Sequence, residues 1–126
     1  MKLLLDTHAF LWYVWGDAQM SKSAKALIDD PNNETLLSPA SWWEIAIKVS
    51  IGKLTLAEPY GSFMQRETQR FSRLDITLDH LTIVASLLLH HRDPFDRLLV
   101  AQAMIEQIPI VSGGPKLDQY PGTRLW

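Results

Sequence analysis

The chain predicts an α/β fold, a sandwich with a central, mainly parallel sheet of four to five strands flanked by helices. Three observations point there. Short, purely apolar runs recur along the chain, as in Leu3-Leu4-Leu5 and Ile108–Val111, and such runs suit strands buried on both faces of a parallel sheet. Segments with helical spacing of apolar residues lie between them. The first run stops abruptly at Asp6-Thr7-His8, which places a carboxylate at the end of a strand, the rim where open α/β sheets bind ligands.

The elements follow in order. Residues 2–6 read as the first strand, and Thr7 is placed to cap a helix from His8 to Trp15, ended by Gly16 and Asp17. Ser21 caps a second helix, Lys22 to Asp29, with Ala24, Leu27 and Ile28 on one face. Pro31-Asn32-Asn33 is a turn, and Thr35–Leu37 a second strand. Ser38-Pro39 opens a third helix, because proline suits the first helical position; Trp42, Ile45, Ala46 and Val49 keep its spacing to Gly52. A fourth helix covers Pro59 to Arg70, and Leu74–Ile76 is a third strand. Thr77 caps a fifth helix through Leu88, and Pro94 to Ile105 is a sixth. Ile108–Val111 and Thr123–Trp126 complete the sheet. Strands alternating with helix pairs indicate parallel pairing.

With 126 residues the chain reads as one domain, residues 1–126, without repeats or an internal linker. Its net charge of −2 means that any binding to phosphate must come from a local basic patch or from metal ions. There is no cysteine, which excludes disulfides, thiolate nucleophiles and cysteine zinc sites and fits a reducing, cytoplasmic setting. No apolar run approaches the roughly 20 residues of a membrane helix, and Asp6 interrupts the one apolar stretch near the start, against a signal peptide.

Four acids stand out: Asp6, Glu44, Asp93 and Asp96. Each has a plain structural explanation. Asp6 could open the turn into the first helix. Glu44 follows Ser41 at capping-box spacing. Asp93 before Pro94 fits an N-cap, and Asp96 then sits where the helix dipole favours an acid. Together they carry more weight. Each follows a strand or starts a helix, and the topology gathers them on one sheet edge. Converging carboxylates repel one another and raise their pKa values. A hard divalent cation relieves that repulsion, and oxygen ligation suits Mg²⁺ or Mn²⁺. The four histidines, His8, His80, His90 and His91, match no zinc spacing, and His90-His91 is expected in an exposed loop. Lys48, four residues after Glu44, reads either as an ion-pair partner or as a phosphate contact; Arg92 and Arg97 carry the same two readings.

Three blocks in order resemble the PIN-domain ribonucleases, and among them the VapC-type toxins of toxin–antitoxin systems. These are Leu4-Leu5-Asp6-Thr7-His8; Ser38-Pro39-Ala40-Ser41-Trp42-Trp43-Glu44-Ile45 with Lys48 and Gly52-Lys53-Leu54; and His90-His91-Arg92-Asp93-Pro94-Phe95-Asp96-Arg97-Leu98-Leu99 with Ala101-Gln102-Ala103. The resemblance implies a PIN-like three-layer sandwich and Mg²⁺-dependent endoribonuclease activity, with Mn²⁺ as an alternative ion. The family's first three acids map onto Asp6, Glu44 and Asp96, with Asp93 a neighbour that shares the role; the first three would ligate the metal. Lys48 and Arg97 would hold the RNA backbone, and Ser112 would orient a water or a ligand. The resemblance also implies a cognate antitoxin and a homodimer. The aromatic face from Phe10 to Trp15 is the candidate groove for the antitoxin, with core packing as the rival reading. One departure is visible. The family's fourth acid falls on Gly114, within Val111-Ser112-Gly113-Gly114, and Asp118 is the next acid along. That keeps open a second reading, a catalytically weakened PIN-like module that binds RNA or protein. A phosphatase-like or receiver-like phosphoryl-transfer domain fits less well, because Asp6-Thr7-His8 lacks a second Asp two residues on and no phosphate-binding Gly loop follows.

Overall fold

Five strands, all parallel, form one sheet in the order β3-β2-β1-β4-β5 in the computed structural model, which describes residues 1–126. They are β1 (Lys2–Leu5), β2 (Glu34–Leu37), β3 (Ser72–Arg73), β4 (Ile110–Val111) and β5 (Arg124–Leu125). Six helices connect and cover them: α1 (Thr7–Trp15), α2 (Lys22–Asp29), α3 (Pro39–Ser50), α4 (Tyr60–Thr68), α5 (Leu78–Ser86) and α6 (Pro94–Glu106). A short 3₁₀ helix spans Pro115–Gln119. No helix is long and apolar enough to cross a membrane.

The central strands are buried on both faces, as their unbroken apolar sequences require. Leu3 and Leu5 point to one side, where they meet Phe10, Leu11, Ile45, Phe63 and Met64. Leu4 points to the other, against Ala40, Leu99, Val100, Ile110 and Tyr120. Neighbouring strands keep this alternation in register, with Leu4 beside both Leu36 and Ile110. Because all strands run the same way, β1, β2 and β4 end on one edge, at Asp6, Ser38 and Ser112.

Several boundaries differ from those expected. Asp6 caps α1 by accepting the Ala9 N–H at 2.7 Å, so Thr7 lies inside the helix rather than capping it. The third strand is Ser72–Arg73, not Leu74–Ile76. It is an edge strand, and its position follows its pairing to Leu36 and Leu37 rather than its own apolar content. Helix α3 is capped by Ser38, which removes Glu44 from a capping box at Ser41. Thr77 and Ser21 cap α5 and α2 as expected.

The aromatic stretch of α1 is divided: its buried part belongs to the core, while Trp12 and Tyr13 are half-buried and border a small depression with Gly16, Asp17, Met20 and Lys25. Phe10 is fully buried, edge-on to Phe63 and Phe71, and Leu11 is also core. Trp12 packs on Trp126 with ring centroids 5.7 Å apart, and only Trp15 is largely exposed.

Candidate functional site

The acids meet at the carboxyl edge of the sheet. Asp6 sits there because β1 ends and α1 begins at the same residue. Its carboxyl group is almost entirely buried and has no cationic side chain bonded to it. Burial is the main force on it and pushes its pKa up to about 6; the Ser112 hydroxyl and the Ala9 N–H oppose the rise, and the charge of Asp96 adds to it.

Glu44 reaches the edge from α3 and is buried as well. Three side chains hold it. Thr7 Oγ1 donates to Oε1 at 2.6 Å, and Lys48 Nζ donates to Oε2 at 2.6 Å. Ser41 Oγ lies 2.9 Å from Thr7 Oγ1; the carboxylate can only accept, so the single Thr7 proton goes to Glu44 and Ser41 supplies the next bond in the chain. The Lys48 side chain is one-third exposed, so its charge sits at the rim of the site.

Asp93 and Asp96 enter with α6. Asp93 is the N-cap: its Oδ1 accepts from the N–H groups of Phe95 and Asp96 at 2.9 and 3.2 Å, while no hydrogen bond engages Oδ2. Asp96 Oδ2 lies 2.8 Å from His91 Nε2. Burial raises the pKa of Asp96; the hydrogen bond from His91 opposes this, and the charges of Asp93 and Glu44 reinforce it. Asp6, Glu44, Asp93 and Asp96 therefore share one electrostatic neighbourhood. Ligand atoms of His91, Asp93 and Asp96 lie within 4.8 Å of one another.

The structure places three residues that the sequence leaves open. Arg97 is engaged within the protein. Its guanidinium donates to the carbonyls of Val84, Leu87 and Leu88 and to the Tyr120 hydroxyl, and so ties the end of α5 to α6. Asp118 pairs with Arg124 rather than with the acids. His91 lies in the loop before α6, as expected, but its side chain is largely covered and meets Asp96 rather than solvent. Its backbone N–H donates to the Tyr120 hydroxyl at 2.9 Å, a tie across 29 residues that no local pattern reveals. Ser112 is fully buried at the end of β4; its hydroxyl bonds the Gly114 N–H at 3.0 Å. At the rim, Trp43 is 63% exposed and packs edge-on against Phe95, with centroids 5.3 Å apart.

The His91–Asp93–Asp96 cluster offers two carboxylates and one imidazole, a donor set that fits a divalent ion, and the buried Asp6 carboxyl, with no cationic side chain bonded to it, is electrostatically coupled to Asp96. The two largest cavities, of about 400 and 350 Å³, lie elsewhere; Met104 and Pro121 border both, and none of the acids lines either.

A parallel α/β sheet with an acidic carboxyl edge, fed by helix starts, defines the class. The chain belongs to the PIN domain family, whose model matches residues 3–122. It is 36% identical over 63 residues to Ribonuclease VapC16 of Mycobacterium tuberculosis, an alignment spanning 50% of this chain and 45% of that protein. Two solved structures share the fold. One is VapBC2 from Rickettsia felis bound to a DNA fragment from their promoter, with a TM-score of 0.73 and 16% identity, covering 99% of this chain and 98% of the matched chain. The other is VapBC-1 from nontypeable Haemophilus influenzae, with a TM-score of 0.71 and 15% identity, covering 99% and 97%.

Proposed function

We propose that this protein is a divalent-metal-dependent endoribonuclease and the toxin of a toxin–antitoxin pair, with Mg²⁺ or Mn²⁺ as its ion. The observation that carries this reading is the convergence of Asp6, Glu44 and Asp96 on one sheet edge, with the buried Asp6 carboxyl left without a cation.

Asp6, Glu44 and Asp96 would hold the ion, and Asp93 would offer its free oxygen. A bound ion would supply charge neutralisation at the scissile phosphate and a more acidic water. Thr7 fixes the Glu44 carboxylate, so this donor need not reorganise. The Ser112 hydroxyl, at the end of the adjacent strand, would favour the ionised form of the Asp6 carboxyl. Lys48 stands at the rim, where its ammonium can meet a phosphate while staying paired with Glu44. Attack of water in line on phosphorus breaks the P–O3′ bond and leaves a 5′-phosphate and a 3′-hydroxyl.

Such a nuclease would need a cognate antitoxin, and the reading includes a homodimer. The exposed leucines Leu78, Leu81, Leu88 and Leu89, on and after α5, supply apolar surface for protein partners.

A second reading, a binding module with weakened catalysis, draws on one feature. The end of β4 contributes Ser112-Gly113-Gly114 and no acid. Gly114 has an ordinary backbone (φ −91°), and an added Cβ would meet only the Ser112 hydroxyl, at 3.3 Å. A side chain at this position therefore requires the fully buried Ser112 hydroxyl to give by a few tenths of an ångström. Purified protein incubated with RNA, with and without Mg²⁺, and beside Asp6→Asn, is the test. Metal-dependent cleavage lost in the variant is the expected result. No cleavage by the native chain, with a gain in Gly114→Asp, would favour the weakened module.

A further inference from the structure

We infer that His91 is a nitrogen ligand of the metal site, so that the site prefers a transition-metal ion such as Mn²⁺ over Mg²⁺; the inference rests on the nuclease reading above.

The argument starts from what each strand end brings. β1 ends in Asp6, and α3 and α6 bring Glu44 and Asp96, but β4 brings only a serine and two glycines. One side of the rim therefore lacks a hard, charged donor. On the α6 side an imidazole is present instead. His91 Nε2 stands 2.8 Å from Asp96 Oδ2, and one ligand atom each from His91, Asp93 and Asp96 falls within a span of 4.8 Å, close enough to share one ion.

The imidazole is delivered rather than stray. Tyr120 takes the His91 N–H from one side. Arg97 grips the carbonyls of Leu87 and Leu88 from the other, fixing the start of the same loop. Tyr120 also packs edge-on against His90, at 5.2 Å. The loop is thus anchored on both flanks, and the ring turns inward to the acids, 18% exposed. Asp93 keeps Oδ2 free of hydrogen bonds beside it.

Ligand chemistry then sets the preference. Imidazole suits first-row transition metals, whereas Mg²⁺ favours oxygen and keeps its waters. An imidazole beside the two carboxylates also brings no negative charge of its own to a hard ion.

The experiment is equilibrium binding of Mn²⁺ and of Mg²⁺, each by calorimetry on the metal-free protein, for the native chain, His91→Ala and His91→Asp. Thermal melts of each variant confirm folding. The expected result is a loss of Mn²⁺ affinity on the order of 10-fold or more in His91→Ala, with Mg²⁺ affinity much less changed, and a preference shifted toward Mg²⁺ in His91→Asp. In the Mn²⁺-loaded native protein, pulsed electron paramagnetic resonance should show a nitrogen coupling that disappears in His91→Ala. An unchanged ratio of the two affinities, or no nitrogen coupling, overturns the ligand assignment while leaving the nuclease reading standing. Failure of both ions to bind the native chain at millimolar concentration overturns the nuclease reading itself, and this inference with it.

Discussion

Glu44 and Asp96 reach the same rim from two helices and are held in opposite ways. Glu44 is buried, and donors occupy both of its oxygens: Thr7 on one, Lys48 on the other. Asp96 is half-buried beside Asp93, with a single histidine bonded to it, and burial and like charge push its pKa up. One flank is finished before any ion arrives. The other stores unrelieved repulsion, which an arriving cation would release. If the rim holds an ion as proposed, the finished flank would supply geometry and the unfinished one affinity, and the two should fail differently when altered.

The largest effect is expected on the unfinished flank. Asp96→Asn should lower cleavage about 10³-fold, because losing a ligand forfeits several kcal/mol of charge stabilisation in the transition state. The same variant should melt no lower than the native chain without metal, since it removes a destabilising charge. A lower melting point would break the contrast between the flanks.

Next comes pH. The Asp6 carboxyl is held near 6 in the folded chain against an ordinary 3.8, so the folded state binds more protons than the unfolded one between those values. Metal-free stability should therefore be greatest below about pH 4 from this group and fall as pH rises to about 6, by on the order of 3 kcal/mol. Asp96 acts in the same direction. Asp6→Asn, which keeps a capping side chain on α1, should flatten the loss, and denaturant melts across this pH range measure it. A native profile as flat as that of the variant would show that the charge at Asp6 costs nothing.

Arg97→Ala should destabilise by about 2 kcal/mol, because three carbonyls lose a charged donor. If Arg97 instead served RNA alone, melting would be unchanged while RNA affinity fell. The smallest effect should come from the finished flank. Thr7→Val removes one bond to Glu44 and should cost about 1 kcal/mol of stability, with a loss of cleavage on the order of 10-fold. A larger loss than that of Asp96→Asn would reverse the ranking of the two flanks.

Much of this arrangement was legible in the chain. Leu3-Leu4-Leu5-Asp6 announces a buried strand ending in an acid, and Asp93-Pro94 announces the start of α6, because both are local signals of burial and capping. What stayed hidden depends on contacts between distant residues. Thr7 meets Glu44 across 37 positions, and Tyr120 meets His91 across 29. Neither tie leaves a period or a motif. Arg97 is ambiguous for a related reason: a cation beside acids reads equally as a structural partner or a phosphate contact, and only the fold shows that carbonyls at the end of α5 engage it. The third strand lies at Ser72–Arg73, two residues before the expected Leu74–Ile76, because pairing to β2, not its own side chains, sets an edge strand.

The tryptophans divide in a way that makes the molecule its own optical instrument. Trp12 and Trp126 form a tilted pair, and the Trp126 ring lies so close over Gly113, in the turn after Ser112, that a Cβ there would stand 3.0 Å from it. These two coupled indoles should give an exciton signal in circular dichroism that reports whether the end of β4 keeps its shape. Trp43 is mostly open to solvent and sits one residue before Glu44. Its emission should be the one most readily quenched by a soluble collider, and whatever covers the acidic rim should shield it. Fold and occupancy could then be followed in one cuvette, by two different signals, without a label.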